Sequence, residues 1–174
     1  GIGNMGLGMA LRLRDRGFSV AVRDIDPARE ALARAEGLAV CDSPAAAAAG
    51  ARAAIVAVVD ATQTEAVLFG DHGLAAALPP GGAVLLCPTI APHDTERFAA
   101  RLVSRGLEPV DAPMSGGPLR ARDGTMSLMV ACSEATFERQ RGLVQALSSA
   151  VFRLGERPGH GARMKLVNNL LAGI

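Results

Sequence analysis

Three glycines at the start of the sequence have the spacing of a phosphate-binding turn. Gly1, Gly3 and Gly6 form the pattern G-x-G-x-x-G at the head of a predicted helix. Small residues there let the backbone approach a pyrophosphate, and the helix N-terminus supplies N–H donors and a positive dipole. Asp24 ends the following apolar strand, where a carboxylate can accept hydrogen bonds from an adenosine ribose. These residues predict a dinucleotide site, and the alternative is a glycine-rich turn without a ligand.

The acidic residue also bears on the choice of dinucleotide. A 2′-phosphate on the ribose favours arginine over aspartate at this strand end, so Asp24 indicates NAD. Arg23 is adjacent, and its guanidinium keeps NADP open as an alternative. We therefore expect a site that prefers NAD.

A serine followed by two glycines comes after a later predicted strand. Ser115, Gly116 and Gly117 expose a hydroxyl and backbone N–H groups in one short segment. Such a nest of donors suits a carboxylate. From composition alone, a plain turn is an equally good interpretation.

One lysine stands alone among the basic residues. Of the 18 basic residues, Lys165 is the one lysine. An ammonium group can lose its proton near neutral pH when it is desolvated, whereas a guanidinium group cannot. Asn169 lies four residues further on, on the same face of a predicted helix. Lys165 is thus a candidate acid/base group, and the alternative is a surface lysine whose stem packs on apolar neighbours.

The remaining polar residues do not predict a further site. No metal is expected, because no metal-ligand spacing relates the histidines His72, His93 and His160. Ser115 has no histidine or lysine base nearby in the sequence and lacks the G-x-S-x-G pattern, which disfavours a serine hydrolase. The odd number and wide spacing of the cysteines indicate reduced thiols and a cytoplasmic protein; they are Cys41, Cys87 and Cys132.

The composition disfavours two classes of partner. Of the 174 residues, 49% are hydrophobic and 20% are charged, which is typical of a globular protein. The sequence has no run of about 18 uncharged apolar residues, so we expect no membrane span. A net charge of +1 and the absence of Tyr and Trp disfavour a nucleic-acid partner.

Strand-like and helix-like segments alternate along the chain. This order predicts βαβ units and an α/β fold, with a mostly parallel sheet that has helices on both faces. Strands are predicted at residues 18–22, 38–41, 53–59, 83–87, 107–111, 126–131 and 151–154. Residues 53–59 are wholly apolar, which is typical of a strand in the middle of a parallel sheet. Helices are predicted at residues 5–16, 27–36, 43–49, 62–69, 94–105, 133–147 and from 162 onward, with Asp26, Ser43 and Ser133 as caps.

A change in composition predicts a domain boundary near residue 157. A joint rich in glycine and proline lies there, formed by Gly155, Pro158, Gly159 and Gly161. We expect a dinucleotide-binding domain at residues 1–157, and a hinge with an apolar helix at residues 158–174. Both ends look cut, because a glycine turn that normally follows a strand begins at the first residue, and the last apolar helical segment stops at Ile174 without a helix end.

Three segments in this order resemble the signatures of the β-hydroxyacid dehydrogenase family, typified by 3-hydroxyisobutyrate dehydrogenase and tartronate semialdehyde reductase. They are the glycine turn with the segment to Asp24, residues 111–117, and residues 159–169 with the sequence GHGARMKLVNN. The similarity covers essentially the whole chain, and three spaced motifs are far more specific than one. It implies a Rossmann-type domain whose first strand is missing here. An all-helical domain that closes the active site and forms the dimer would follow, and only its first helix is present.

The resemblance also implies a role for each motif. It places Lys165 as the catalytic acid/base and Asn169 beside it, orienting the substrate. The substrate carboxylate would be held by Ser115, Gly116 and Gly117. The cofactor would be bound by Gly1, Gly3, Asn4, Met5 and Gly6 at its diphosphate, by Asp24 at the adenosine ribose and by Thr89 at the nicotinamide ribose. The family usually has Ser-Thr where this chain has Pro88-Thr89, which removes a hydroxyl and a backbone donor beside the cofactor.

The implied activity is hydride transfer between a short 3-hydroxy acid and NAD, in either direction, by a homo-oligomeric enzyme. Residues 59–70 are similar to the L-threonate dehydrogenase subgroup, which indicates a four-carbon sugar acid, although that subgroup often differs at the position of Asn169. Two alternatives are a non-catalytic dinucleotide-binding module and an enzyme like 6-phosphogluconate dehydrogenase. Non-catalytic relatives have lost the catalytic lysine, so the presence of Lys165 argues against the first alternative. 6-Phosphogluconate dehydrogenase has a histidine beside the corresponding asparagine, so Asn168 argues against the second.

Overall fold

Helices and strands alternate along the chain in the computed structural model, which describes residues 1–173. The helices are α1 (Asn4–Asp15), α2 (Pro27–Ala35), α3 (Pro44–Ala48), α4 (Ala61–Phe69), α5 (Pro92–Val103), α6 (Gly117–Asp123), α7 (Glu134–Leu147) and α8 (His160–Ala172). The strands are β1 (Ala21–Val22), β2 (Ala39–Val40), β3 (Ala53–Val56), β4 (Ala83–Leu86), β5 (Glu108–Asp111), β6 (Met114–Ser115), β7 (Met126–Val130) and β8 (Ser148–Arg153). A short 3₁₀ helix spans Leu74–Ala76.

The strands form three small sheets, and most of their pairs are parallel. β1 pairs with β2, and β4 lies between β3 and β5 in a second sheet, with every pair parallel. In the third sheet β7 pairs parallel with β8 and antiparallel with β6. A bridge between Asp111 and Ala131 connects the end of β5 to the end of β7. The α/β class predicted from the sequence is therefore confirmed.

Hydrogen-bonding side chains mark where several helices begin. The N–H of Ala28 donates to Asp26 at 2.9 Å before α2, and the N–H of Ala46 donates to Ser43 at 3.0 Å before α3. Ser133 caps α7 in the same way, and Asp60 caps α4. Each such cap satisfies an N–H group that has no partner within its helix and stabilises the fold by about 1 kcal/mol. The three predicted caps are confirmed, and Asp60 is an additional one.

The core consists of two main apolar layers on opposite faces of β4. Ala83 and Leu85 face a cluster with residues of α1, α6 and α7, whereas Val84 and Leu86 face a cluster with residues of α4 and α5. All four residues of β4 are buried. Alternate residues of a strand point to opposite faces, so β4 is covered by helices on both sides. This double burial holds the ends of the central strands in place, and the candidate site is built there.

β3 is shorter than predicted. The sequence pattern predicts a strand at residues 53–59, and β3 spans the first four of them, Ala53–Val56. It pairs in parallel with the buried strand β4.

The segment after β5 also differs from the prediction, because neither β6 nor α6 is predicted. Gly117 and Pro118 open α6, and Gly124 ends it in a left-handed conformation with φ of 72°. These residue types usually indicate a loop. The helix has a single buried residue, Ala121, so no apolar stripe was available to reveal it.

Two further observations concern the expected state of the cysteines and the expected absence of a membrane span. Cys41, Cys87 and Cys132 are free, and the latter two are buried. Within residues 1–173, no helix has both the length and the apolar character needed to cross a bilayer.

Candidate active site

Most of the predicted site residues line one cavity of about 390 Å³ at the carboxyl ends of the central strands. The lining contains seven residues that the sequence predicts: Met5, Thr89, Ser115, Gly116, Gly117, Lys165 and Asn169. It also contains five that the sequence does not predict: Val58, Val59, Cys87, Pro88 and Met114. Ligands of open α/β sheets bind beyond the carboxyl ends of the strands, so the place of this cavity is typical of an active site.

The glycine turn forms a tight cradle at the start of α1. A Cβ atom at Gly6 would overlap the carbonyl group of Gly1, so any larger residue would force the turn apart. A Cβ atom at Gly3 would meet nothing within 4 Å, which leaves open space above the turn. No side chain caps α1, and its first turn has no acidic residue. Its N–H groups and positive dipole are available to an anion, and the turn therefore fits the diphosphate of a dinucleotide.

Asp24 lies beside this turn and is oriented by the backbone. Its Oδ2 atom accepts a hydrogen bond from the N–H of Ile2 at 2.6 Å, and its Oδ1 atom accepts from the N–H of Asp26 at 3.0 Å. A carboxylate has about four lone-pair sites, so both oxygens can still accept hydroxyl groups. A Cβ atom at Gly1 would lie 3.5 Å from Oδ2 of Asp24. The predicted diphosphate and ribose residues thus lie together.

Asn4 does not line this cavity. Its side chain is exposed, and its Oδ1 atom accepts a hydrogen bond from Arg29 at 3.2 Å. Met5, by contrast, lines the cavity.

Arg23, the residue that left NADP as an alternative cofactor, forms an ion pair. Its Nη1 atom lies 2.5 Å from Oε1 of Glu30, a residue of α2 that is buried. The guanidinium of Arg23 keeps the pKa of Glu30 below its usual range, with a smaller effect from Arg34. This pairing engages Arg23 with a carboxylate, and the arrangement favours NAD.

The segment predicted as a nest at residues 115–117 lines the cavity. Ser115 ends β6, and the next two residues have positive φ angles, 132° at Gly116 and 77° at Gly117. Such angles are accessible mainly to glycine. The side chain of Arg120 packs over Gly116, where a Cβ atom would approach its Cδ atom to 2.8 Å. Both glycines are therefore required by the backbone of this segment.

Lys165 and Asn169 enter the cavity from α8. Lys165 is 9% exposed, and burial lowers the pKa of its ammonium group from the usual value. The Oδ1 atom of Asn169 is buried and has no hydrogen-bond partner among residues 1–173. Buried oxygens normally accept a hydrogen bond, so this orphaned atom fits a hydroxyl group of a bound substrate. The cavity thus combines an amine that can release its proton with acceptors and donors for a small polar molecule.

Three residues directly after β4 complete the cavity. Thr89 is exposed there, as the prediction of a cofactor contact requires, and Pro88 precedes it. Cys87 is buried, and burial raises the pKa of its thiol to about 12. A protonated thiol is a poor nucleophile, so Cys87 shapes the cavity without offering covalent chemistry. In the part of the chain that the structure describes, no cluster of three or more His, Cys, Asp and Glu residues could hold a metal ion.

Comparisons with known proteins identify the family of this chain. A family described as the NAD binding domain of 6-phosphogluconate dehydrogenase matches residues 1–155. Over 175 aligned residues the chain is 40% identical to an L-threonate dehydrogenase of Escherichia coli O6:H1, which covers all of this chain and 58% of that protein. A 3-hydroxyisobutyrate dehydrogenase of Pseudomonas aeruginosa is 33% identical, with coverage of 100% and 58%.

A solved structure has the same fold. The crystal structure of 3-hydroxyisobutyrate dehydrogenase from Salmonella typhimurium superposes with a TM-score of 0.93 at 37% identity and covers 99% of this chain and 60% of that one. The chain therefore spans about three fifths of the length of the relatives it matches. These matches confirm the resemblance that the three motifs indicate.

Proposed function

Because the chain belongs to the family of the NAD binding domain of 6-phosphogluconate dehydrogenase, we propose that it is the cofactor-binding part of an NAD-dependent hydroxy acid dehydrogenase. The enzyme oxidises a short 3-hydroxy acid or a four-carbon sugar acid, or reduces the corresponding carbonyl compound. One observation carries the proposal: a single cavity brings Lys165 and Asn169 together with the Ser115–Gly117 nest and the start of α1.

The proposed domain division follows the hinge before α8. Residues 1–157 form the dinucleotide-binding domain, and residues 158–173 are the hinge and first helix of a second, helical domain; Ile174 lies outside the described residues. Five apolar side chains of α8 are exposed, which supports further packing on this helix: Met164, Leu166, Val167, Leu170 and Leu171. Large exposed apolar faces usually bind other protein segments. We propose that the natural full-length protein is a homo-oligomer.

Cofactor binding in this proposal uses the cradle and the strand ends. The N–H groups of Gly1, Gly3 and Met5, with the close packing at Gly6, hold the diphosphate. Asp24 accepts the hydroxyls of the adenosine ribose, and Thr89 donates to the nicotinamide ribose. When bound, NAD accepts the hydride that leaves the substrate carbon. The chain's contribution is to bring that carbon and the ring into contact in one orientation.

Lys165 holds or releases the proton that accompanies this transfer. In oxidation its neutral amine takes the proton of the substrate hydroxyl, and in reduction its ammonium form returns a proton to the new oxygen. Burial lowers the pKa of Lys165, which increases the fraction of neutral amine near neutral pH. The site needs no second base, because one amine serves both directions.

The carboxylate of the substrate sets which carbon faces the ring. The nest at Ser115, Gly116 and Gly117 binds the carboxylate, while the orphaned Oδ1 atom of Asn169 accepts a substrate hydroxyl. Both groups line a cavity of about 390 Å³, which fits a small acid. The relatives named L-threonate dehydrogenase and 3-hydroxyisobutyrate dehydrogenase support acids of four carbons.

A substrate screen with two lysine variants tests the proposal. NADH and NADPH formation is measured with the natural full-length protein and a panel of short 3-hydroxy acids and four-carbon sugar acids. We expect NADH formation with at least one acid. Lys165→Met should lower kcat by about 1000-fold, since general acid–base catalysis contributes 10²–10⁴-fold, and NADH binding should be unchanged.

Lys165→Arg is the matched control, because it keeps the positive charge but cannot release its proton. It should be as inactive as Lys165→Met. If Lys165→Arg retained turnover, the charge and not proton transfer would be the function of Lys165. If no acid were turned over while NADH still bound, the protein would be a non-catalytic dinucleotide-binding module.

A further inference from the structure

Asp111 is a buried carboxylate that the proposed mechanism does not use. It ends β5 and is 1% exposed. Its Oδ2 atom accepts three backbone hydrogen bonds, from Gly159 at 2.7 Å, Gly161 at 2.8 Å and Ala162 at 3.2 Å. These donors lie at the beginning of α8, where N–H groups have no partner within the helix. A single oxygen of the sheet therefore caps the helix that carries the lysine.

The backbone of Asp111 is held by a pair of hydrogen bonds to one residue. Its N–H donates to the carbonyl of Ala131 at 3.1 Å, and its carbonyl accepts from the N–H of Ala131 at 2.9 Å. This bridge joins the end of β5 to the end of β7. The carboxylate thus starts from the rigid edge of two sheets, and the anion-binding nest follows it by only a few residues along the chain.

The helix is pressed directly onto this edge. A Cβ atom at Gly161 would lie 2.5 Å from the carbonyl oxygen of Met129 and 2.8 Å from Oδ1 of Asp111. No side chain fits between α8 and the strands at that point. A second contact, the ion pair of Arg163 with Glu96 at 2.7 Å, holds the same turn to α5.

The contact point and the cavity residues share one face of α8. Gly161, Lys165 and Asn169 follow each other at intervals of four residues, and residues at this spacing lie one above another along a helix. Gly161 packs on Asp111, and the other two enter the cavity. A shift or rotation of α8 at Gly161 would therefore be carried to the amine and amide of the site.

We infer that Asp111 is a positioning residue, whose acceptor oxygen fixes α8 so that Lys165 and Asn169 face the nest and the cofactor cradle. This inference rests on the proposed dehydrogenase function. It assigns no proton transfer to Asp111, which touches neither reacting group. The required feature is an oxygen at the position of Oδ2, so an amide there is a sufficient replacement.

Three variants of the natural full-length protein test this role. Asp111→Ala removes the acceptor and should lower kcat by about 100-fold, since small misplacements of reacting groups have effects of this size, while the Kd for NADH is unchanged. Asp111→Asn keeps one oxygen and should stay within about fivefold of wild type. Gly161→Ala displaces the helix by a clash and should reproduce the loss of kcat. Ser133→Ala removes the cap of α7, away from the cavity, and serves as the control with unchanged kcat.

Hydrogen exchange supplies a readout that needs no turnover. The amides of Gly159, Gly161 and Ala162 should exchange at least about tenfold faster in Asp111→Ala than in wild type, as expected for the loss of a buried hydrogen bond. Unchanged exchange, or an Asp111→Ala variant with wild-type kcat, would overturn the inference. Parallel loss of NADH binding and kcat would also overturn it, because it would indicate a general folding role. If wild type shows no turnover, the dehydrogenase proposal fails, and the exchange experiment still tests the position of Asp111.

Discussion

The charge of Asp111 should make the stability of the protein depend on pH in a way that one substitution removes. Burial raises the pKa of Asp111 from 3.8 to about 6, although the N–H groups of Ala162, Gly159 and Gly161 oppose this rise. Between these two pH values the folded state binds more protons at this residue than the unfolded state. The free energy of unfolding therefore decreases as pH rises from about 4 to about 6, and the contribution is constant above that range.

The magnitude follows from the shift. A difference of about 2 pKa units at about 1.4 kcal/mol each corresponds to about 3 kcal/mol. Asp111→Asn has nearly the same shape, keeps an acceptor oxygen and does not titrate. The free energy of unfolding of this variant, minus that of wild type, should therefore increase by about 3 kcal/mol between pH 4 and pH 7.

Urea unfolding of both proteins at pH 4, 5, 6 and 7, followed by circular dichroism, measures this difference. Comparing the two proteins at each pH cancels the other titrating groups, which are common to both. Two parallel stability curves would refute the reasoning, because they would mean that Asp111 has the same pKa in the folded and unfolded states. A variant that lost stability relative to wild type as pH rose would contradict its sign.

Three further predictions concern the cofactor cradle and the cavity. Gly6→Ala should weaken NADH binding at least tenfold, measured by fluorescence titration, because its methyl group would overlap the carbonyl of Gly1. Asp24→Asn should weaken NADH binding about tenfold by calorimetry, since a charged acceptor is replaced by a neutral one; equal affinity would remove Asp24 from the site. Cys87 should resist alkylation by iodoacetamide at pH 8, monitored by mass spectrometry, because the pKa of its thiol is raised to about 12.

Local signals made most of the fold predictable. The starts of three helices could be predicted from their capping residues Asp26, Ser43 and Ser133, because an N-cap depends only on a side chain next to the helix. The strand predicted at residues 83–87 is confirmed as β4, Ala83–Leu86. α6 was missed because Gly117 and Pro118 favour a loop when only the local sequence is considered.

The residues of the candidate site also fall into those that the sequence predicts and those that it does not. Lys165 and Asn169 could be selected from residue type and helical spacing, and the cavity brings them together with the nest. Cys87 carries no sequence signal for a site, because its place in the cavity depends on how β4 ends. Asp111 stood inside a recognised motif, yet its partners are backbone N–H groups 48 to 51 residues away, which no side-chain pattern reveals.

The most direct measurement of the central claim follows a labelled hydrogen atom. A short hydroxy acid with deuterium on its carbinol carbon is incubated with NAD and the natural full-length protein, and the NADH is examined by mass spectrometry. We predict one deuterium atom per NADH formed with wild type and no NADH above background with Lys165→Met. NADH without deuterium, or equal formation by the variant, would contradict hydride transfer assisted by Lys165.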